Sequence, residues 1–87
     1  MDLKIMKDGE IISCDVITMF KDDSNNIDYI VYTDGSKDED GNNNIFASRY
    51  VVSDGSLELL DIEEDKEWDM IDEVIRSIDN YVIYRSR

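Results

Sequence analysis

Asp65-Lys66-Glu67-Trp68-Asp69-Met70-Ile71-Asp72-Glu73-Val74-Ile75-Arg76-Ser77-Ile78 is the stretch in which the apolar period of this chain changes. Trp68, Ile71, Ile75 and Ile78 recur at alternating spacings of three and four, Val82 continues the series, and Met70 and Val74 widen the stripe. That is the repeat of an amphipathic helix. Glu63, Glu64, Asp65, Glu67 and Asp69 crowd its start, where the positive end of the helix dipole favours carboxylates, and Arg76, Arg85 and Arg87 lie toward the other end. Asp65 is the expected N-cap of a C-terminal helix over about residues 65–80. Two readings of its end stand side by side. Asp79-Asn80 can stop it, and Tyr81-Val82-Ile83-Tyr84 has the β-branched and aromatic content of a strand, so the basic tail 81–87 either continues the helix or forms a strand.

Upstream the period is two. Leu3–Met6 and Ile11–Phe20 flank Lys7-Asp8-Gly9-Glu10, which reads as a hairpin with a two-residue Asp-Gly loop. Ile12, Cys14, Val16, Thr18 and Phe20 fall on one face of the second run and Ser13 and Asp15 on the other. Ile27–Thr33 sets Tyr29 and Val31 against Asp28, Ile30 and Tyr32, and Ile45–Val52 and Leu57–Ile62 supply two more runs. Asn25-Asn26, Asp34-Gly35, Asp40-Gly41 and Asp54-Gly55 provide turn chemistry between them. Short strands with short connections favour an antiparallel meander. The expected fold is therefore α+β: one domain over residues 1–87, with a meander of four to five strands and the helix packed on one face.

Asp34-Gly35-Ser36-Lys37-Asp38-Glu39-Asp40-Gly41-Asn42-Asn43-Asn44 has no side chain suited to a core and reads as a flexible acidic loop. Asp38, Asp40 and Gly41 match the third, fifth and sixth places of a calcium loop. Ser36 stands where the first aspartate belongs, however, and Ala47 where a bidentate glutamate must close the shell, so no metal is expected.

Composition narrows the function. The 87 residues hold 22 acids against 9 bases, a formal charge of −13, and neither histidine nor proline. Such charge repels phosphate backbones and anionic membranes, so direct nucleic-acid or membrane binding is not expected, and partners should be basic or apolar. Without histidine there is no imidazole base and no common zinc site, and no glycine-rich phosphate cradle is present. Carboxylate pairs remain, but so small a domain leaves little room for the cleft they need. The expectation is a protein without enzymatic activity or cofactors. Cys14 is the single cysteine and sits in an apolar run, as a small buried side chain would. No segment approaches the roughly 20 apolar residues of a membrane span, nor is there a signal-type N-terminus, so a cytoplasmic location is expected.

Asp28-Tyr29-Ile30-Val31-Tyr32-Thr33-Asp34, Ile45-Phe46-Ala47-Ser48-Arg49-Tyr50, Leu57-Glu58-Leu59-Leu60-Asp61-Ile62 and Glu67-Trp68 follow in an order and spacing that resembles the small acidic bacterial proteins grouped as domain of unknown function 1292. The resemblance covers roughly residues 10–80. It implies a bacterial, cytoplasmic, single-domain protein, and it transfers no catalytic residue.

The leading functional expectation is a protein-interaction or regulatory module. An acidic surface steers it toward a basic patch, and aromatic side chains supply affinity. Trp68, Tyr81 and Tyr84 are the candidate apolar contacts. Arg49, standing in a strand among apolar neighbours, is a candidate polar contact, with an ion pair to a nearby acid as its bland explanation. The alternative is an inhibitor that mimics nucleic acid: Asp65, Asp69 and Asp72 share a helix face at about 5–6 Å, close to backbone phosphate spacing, in a row that Arg76 interrupts. A solvated polar face accounts for the same three residues.

Overall fold

Alternation and turn residues carry the first sixty residues into one sheet. A computed structural model describes residues 2–7, 10–77 and 81–84. β1 (Asp2–Lys7), β2 (Glu10–Asp22), β3 (Ile27–Lys37), β4 (Asn43–Ser53) and β5 (Ser56–Leu60) pair antiparallel in chain order, as the meander requires. Lys7 lies opposite Glu10, which leaves the two residues of the expected Asp-Gly loop between them; Asp8 and Gly9 themselves lie outside the described residues.

The β4–β5 turn follows from its sequence. Asp54 and Gly55 both have positive φ, 52° and 78°, the type I′ geometry that matches strand twist in a two-residue hairpin. Nothing lies within 4 Å of a Cβ built on Gly55, so a side chain there meets strain from the backbone alone. Gly55→Ala is expected to lower the unfolding free energy by about 1 kcal/mol in a urea titration. A change indistinguishable from zero would show that the turn is not held in this form.

Two features of the strands depart from expectation. An extra residue in β2 shifts the register between Val16, opposite Tyr32, and Thr18, opposite Val31. Residues directly opposite share a face, so Thr18 and Phe20 face one way and Cys14 and Val16 the other. The single apolar face read from the sequence is thus divided; the side chain of Ile12 lies outside the described residues. The 34–44 segment is also less of a loop than its composition suggests. β3 runs on to Lys37, which lies opposite Asn43. Gly35, at φ 84°, makes the irregularity, while the Asp34 carboxylate accepts Ser36 N–H and Thr33 Oγ1 accepts Gly35 N–H. The connection proper is residues 38–42, where Asp38 Oδ1 accepts from the N–H groups of Asp40 and Asn42. Short polar side chains here serve the main chain in place of a core, and the bond from Asn42 above all lowers the Asp38 carboxyl below its ordinary value.

α1 spans Asp65–Val74 and gives way to a turn through Ser77, short of the expected 80. Residues 78–80 and 85–87 lie outside the described residues, which takes in Ile78 of the stripe and the basic end of the tail. β6 (Tyr81–Tyr84) decides between the two readings of the tail in favour of a strand, so Val82 is not part of the helical stripe. It pairs parallel with β4, Ile83 opposite Ile45. β5 and β6 therefore share the side of β4 that faces away from β3: β5 takes Arg49–Ser53 and β6 takes Asn43–Phe46. The sheet has six strands: a meander of five, within the four to five expected, and this parallel addition.

α1 packs on one sheet face. Trp68, Ile71 and Ile75 meet Tyr29, Val31, Ile45 and Ala47, with Ile62 closing the core at the entry to the helix and Phe20, Ile27, Met70, Tyr81 and Ile83 partly buried around it. Burial of these side chains drives the docking, at about 25 cal/mol per Å² of apolar surface removed from water. On the opposite face Ile30 is fully buried and Cys14 nearly so, beside the stacked rings of Tyr32 and Phe46.

Candidate functional site

Beneath the helix N-terminus lies a buried charge cluster built from three elements. β4 presents Arg49 on the helix face, directly opposite Tyr29 of β3, and α1 brings Glu67 down between them. Only 2% of the Glu67 side chain is exposed, and five donors converge on its carboxylate. Arg49 Nε and Nη2 donate to Oε1 and Oε2, both at 2.7 Å, in a bidentate pair. The Tyr29 hydroxyl donates to Oε1 at 2.7 Å, and the N–H groups of Glu63 and Glu64 donate to Oε2 at 3.2 and 3.0 Å. Asn25 Nδ2 in turn donates to the Tyr29 hydroxyl.

This geometry explains where the helix begins. Glu64 is the N-cap, with extended backbone, and Glu67 at the third helical position reaches back to its N–H, as in a capping box. The expected cap, Asp65, is instead the first helical residue. A carboxylate three residues after the cap fills that role and an ion pair at once, whereas Asp65 would offer the cap alone.

Burial pushes the Glu67 carboxyl up, but the Arg49 guanidinium, the Tyr29 hydroxyl and the Glu64 N–H outweigh it and hold it down at about 2. Burial and the bond to Glu67 push the Tyr29 hydroxyl up to about 12. Its own bonds to Glu67 raise Arg49 further. None of the three exchanges a proton near neutrality, where a general acid or base must work. The cluster is chemically quiet and joins helix to sheet. A cleft of about 270 Å³ opens beside it, lined by Asp22, Ser24, Asn25, Lys66, Glu67 and Met70. Both Glu67 oxygens are already taken, and Asp22 Oδ1 accepts the Ser24 N–H and hydroxyl, so its polar walls are largely engaged within the chain.

The residues singled out from the sequence are scattered. Trp68 is 3% exposed and sits in the core, because its place in the helical stripe turns it onto the sheet; the expectation that it offers an exposed contact is corrected. Tyr81 is half-buried against the same core, and the side chain of Tyr84 lies outside the described residues. Arg49 is held by Glu67, as its bland explanation has it. Asp65 and Asp69 are exposed and Asp72 is half-buried, so the carboxylate row is unevenly presented. Arg76, which interrupts that row, pairs with Glu73. Tyr29 and Glu67 escaped the sequence reading as a pair. The available signal was Glu67 three residues after Glu64, together with a lone arginine on an inward strand position.

One amphipathic helix ion-paired across an antiparallel sheet defines a small α+β domain whose single buried charge cluster, among the described residues, serves its own architecture. Over residues 7–78 the chain matches the model of the family described as Protein of unknown function (DUF1292), and it belongs to that family. The match stops short of β6. No solved structure matches it. No helix among the described residues is long and apolar enough to cross a membrane.

Elsewhere the surface is dominated by like charge, with 22 acids against 9 bases. Self-repulsion of this size opposes folding and is screened by salt, the Debye length falling from about 30 Å at 0.01 M to about 3 Å at 1 M. Added sodium chloride is therefore expected to raise the melting temperature by several degrees, read by circular dichroism. A fall on salt addition would mean that surface ion pairs outweigh the repulsion.

Proposed function

We propose that this chain is a non-catalytic protein-interaction module of the bacterial cytoplasm that docks on a partner bearing a basic surface. The observation that carries the reading is a hairpin with apolar side chains exposed on both of its faces, Val51 and Leu60 on one and Val52 on the other, set in a strongly anionic exterior. Val51, Val52 and Leu60 of the β4–β5 hairpin are 43%, 68% and 41% exposed, in a chain of net charge −13. Charge of one sign accelerates encounter with the opposite sign, and apolar contact then slows dissociation. The buried polar cluster is fitted to hold the helix, which supports a role for the outer surface over one for an internal site.

The test is crosslinking in living cells, followed by capture at low and high salt with the native chain and with Val51 and Val52 both changed to serine. The expected outcome is a basic partner whose capture weakens with salt and is lost in the double variant, while the far-ultraviolet spectrum of that variant is unchanged. Capture that survives both high salt and the double change would sink the reading. If the partners are instead nucleic-acid-binding proteins released by changing Asp65, Asp69 and Asp72 to asparagine, mimicry takes its place.

A further inference from the structure

The geometry points to the outer edge of β5 as the place where the partner binds, by adding an extended basic segment to the sheet; this rests on the interaction reading and gives it a location. In a two-residue hairpin the residues that flank the turn exchange main-chain hydrogen bonds, and the exchange recurs at every second pair. Ser53 lies opposite Ser56, Val51 opposite Glu58 and Arg49 opposite Leu60. The N–H and C=O groups of Ser56, Glu58 and Leu60 are thus directed to β4, and those of Leu57 and Leu59 point the other way. Among the described residues β5 pairs with β4 alone. An edge of this kind is a template for a further strand.

The side chains around the edge say what that strand carries. Glu58 is exposed between half-buried Leu57 and Leu59, with exposed Asp54 and Asp61 at either end of β5. Leu57 and Leu59 lie on the same sheet face as Val52 and Tyr50, their opposite numbers, while Glu58 lies on the other with Val51 and Leu60. A segment of alternating apolar and basic residues places its apolar side chains beside Leu57 and Leu59 and a lysine or arginine beside Glu58. A second copy of this chain fits poorly. Antiparallel pairing of two β5 strands about their centre sets Glu58 against Glu58, and each copy carries −13.

The experiment is nuclear magnetic resonance on the full chain, with amide exchange followed residue by residue. The probe is a capped peptide of about eight residues alternating valine and lysine, long enough for one strand. In the free protein the Leu57 and Leu59 amides should exchange freely and those of Glu58 and Leu60 slowly. Saturating peptide should slow the first two by about tenfold or more. The same peptide N-methylated on the valine or on the lysine amides loses the donors of one edge, so one of the two methylated forms should no longer bind; Glu58→Lys, an exposed change that leaves the hairpin intact, should weaken binding of the unmodified peptide by about tenfold or more. Equal binding by all three peptides, or unchanged Leu57 and Leu59 exchange while shifts appear elsewhere, overturns the β5 edge and leaves the interaction reading standing. Shifts nowhere on the protein count against both. Leu57 and Leu59 protection that grows with protein concentration in the absence of peptide, with a dimer in sedimentation, assigns the edge to a second copy and overturns the basic partner.

Discussion

Glu67→Ala should remove about 3–5 kcal/mol of unfolding free energy, the cost of breaking a buried ion pair from one side. Arg49 then keeps its charge on the helix face without a carboxylate, Tyr29 loses its acceptor, and the main-chain N–H groups of Glu63 and Glu64 lose theirs. Small domains lie near the low end of about 5–15 kcal/mol, so most of the available stability disappears with one side chain. The paired change Arg49→Met with Glu67→Leu should cost much less than Glu67→Ala, because it removes the charges together and leaves apolar volume in their place. Urea titration of the two variants decides the matter. A loss below about 1 kcal/mol in Glu67→Ala would show that the pair is solvated and that the helix is held by its apolar face alone.

The same carboxyl gives the protein an acid limb. Its folded value, about 2, lies below its ordinary 4.5, so the folded state binds its proton later than the unfolded chain does. The resulting stability is complete above about pH 5.5 and is lost as pH falls toward 2; a difference of about 2.5 units corresponds to roughly 3 kcal/mol. Relief of acidic self-repulsion works in the opposite direction over the upper part of this range, since the isoelectric point is near 4.1. The melting temperature should therefore rise on acidification from pH 8 toward 5 and then fall below about 4. Glu67→Gln should flatten the falling limb while preserving the rising one. A native protein that keeps gaining stability down to pH 2 would contradict the assignment.

Ile71→Ala carries the second large effect. The side chain is fully buried between α1 and the sheet, among Tyr29, Val31, Trp68 and Ile75. Its truncation costs about 2–5 kcal/mol, depending on how far the cavity collapses. A domain of this size loses about 4–8 °C of melting temperature per kcal/mol, so a fall of roughly 10–30 °C is expected. Val74, on the same helix but 43% exposed, is the control: its change to alanine should cost at most about 0.5 kcal/mol. Equal effects at the two positions would mean that the helix sits rotated from the orientation described.

What the sequence disclosed and what it withheld divide along a physical line. Features set by neighbours in the chain were legible: period-two runs bounded by Asp-Gly and Asn-Asn turns, and a helix at Trp68, Ile71 and Ile75. Features set by distant partners were not. The extra residue in β2 leaves burial alternating along the strand because both sheet faces bury side chains, so inspection of spacing cannot find it. No glycine or proline marks the end of α1, and the parallel seat of Tyr81–Tyr84 depends on an edge of β4 that exists only once the sheet has formed. Polar composition made 34–44 look like a loop, although Asp34, Asp38 and the preceding Thr33 satisfy main-chain groups there and let β3 run on. For the charge cluster, an acid partner for Arg49 was foreseeable among so many carboxylates; that it is Glu67, chosen because the helix cap and the ion pair converge on one side chain, required the fold.

The burial of Trp68 has a practical corollary. As the sole indole of the chain, seated at the seam between helix and sheet, it should emit at short wavelength in the native state and shift to the red when that seam opens. It reports least on β1, at the far edge of the sheet, whereas the peptide chromophore of every strand contributes to dichroism. Superimposable melting curves from the two signals would certify a cooperative all-or-none transition, and an earlier dichroism change would expose fraying at the far edge of the sheet.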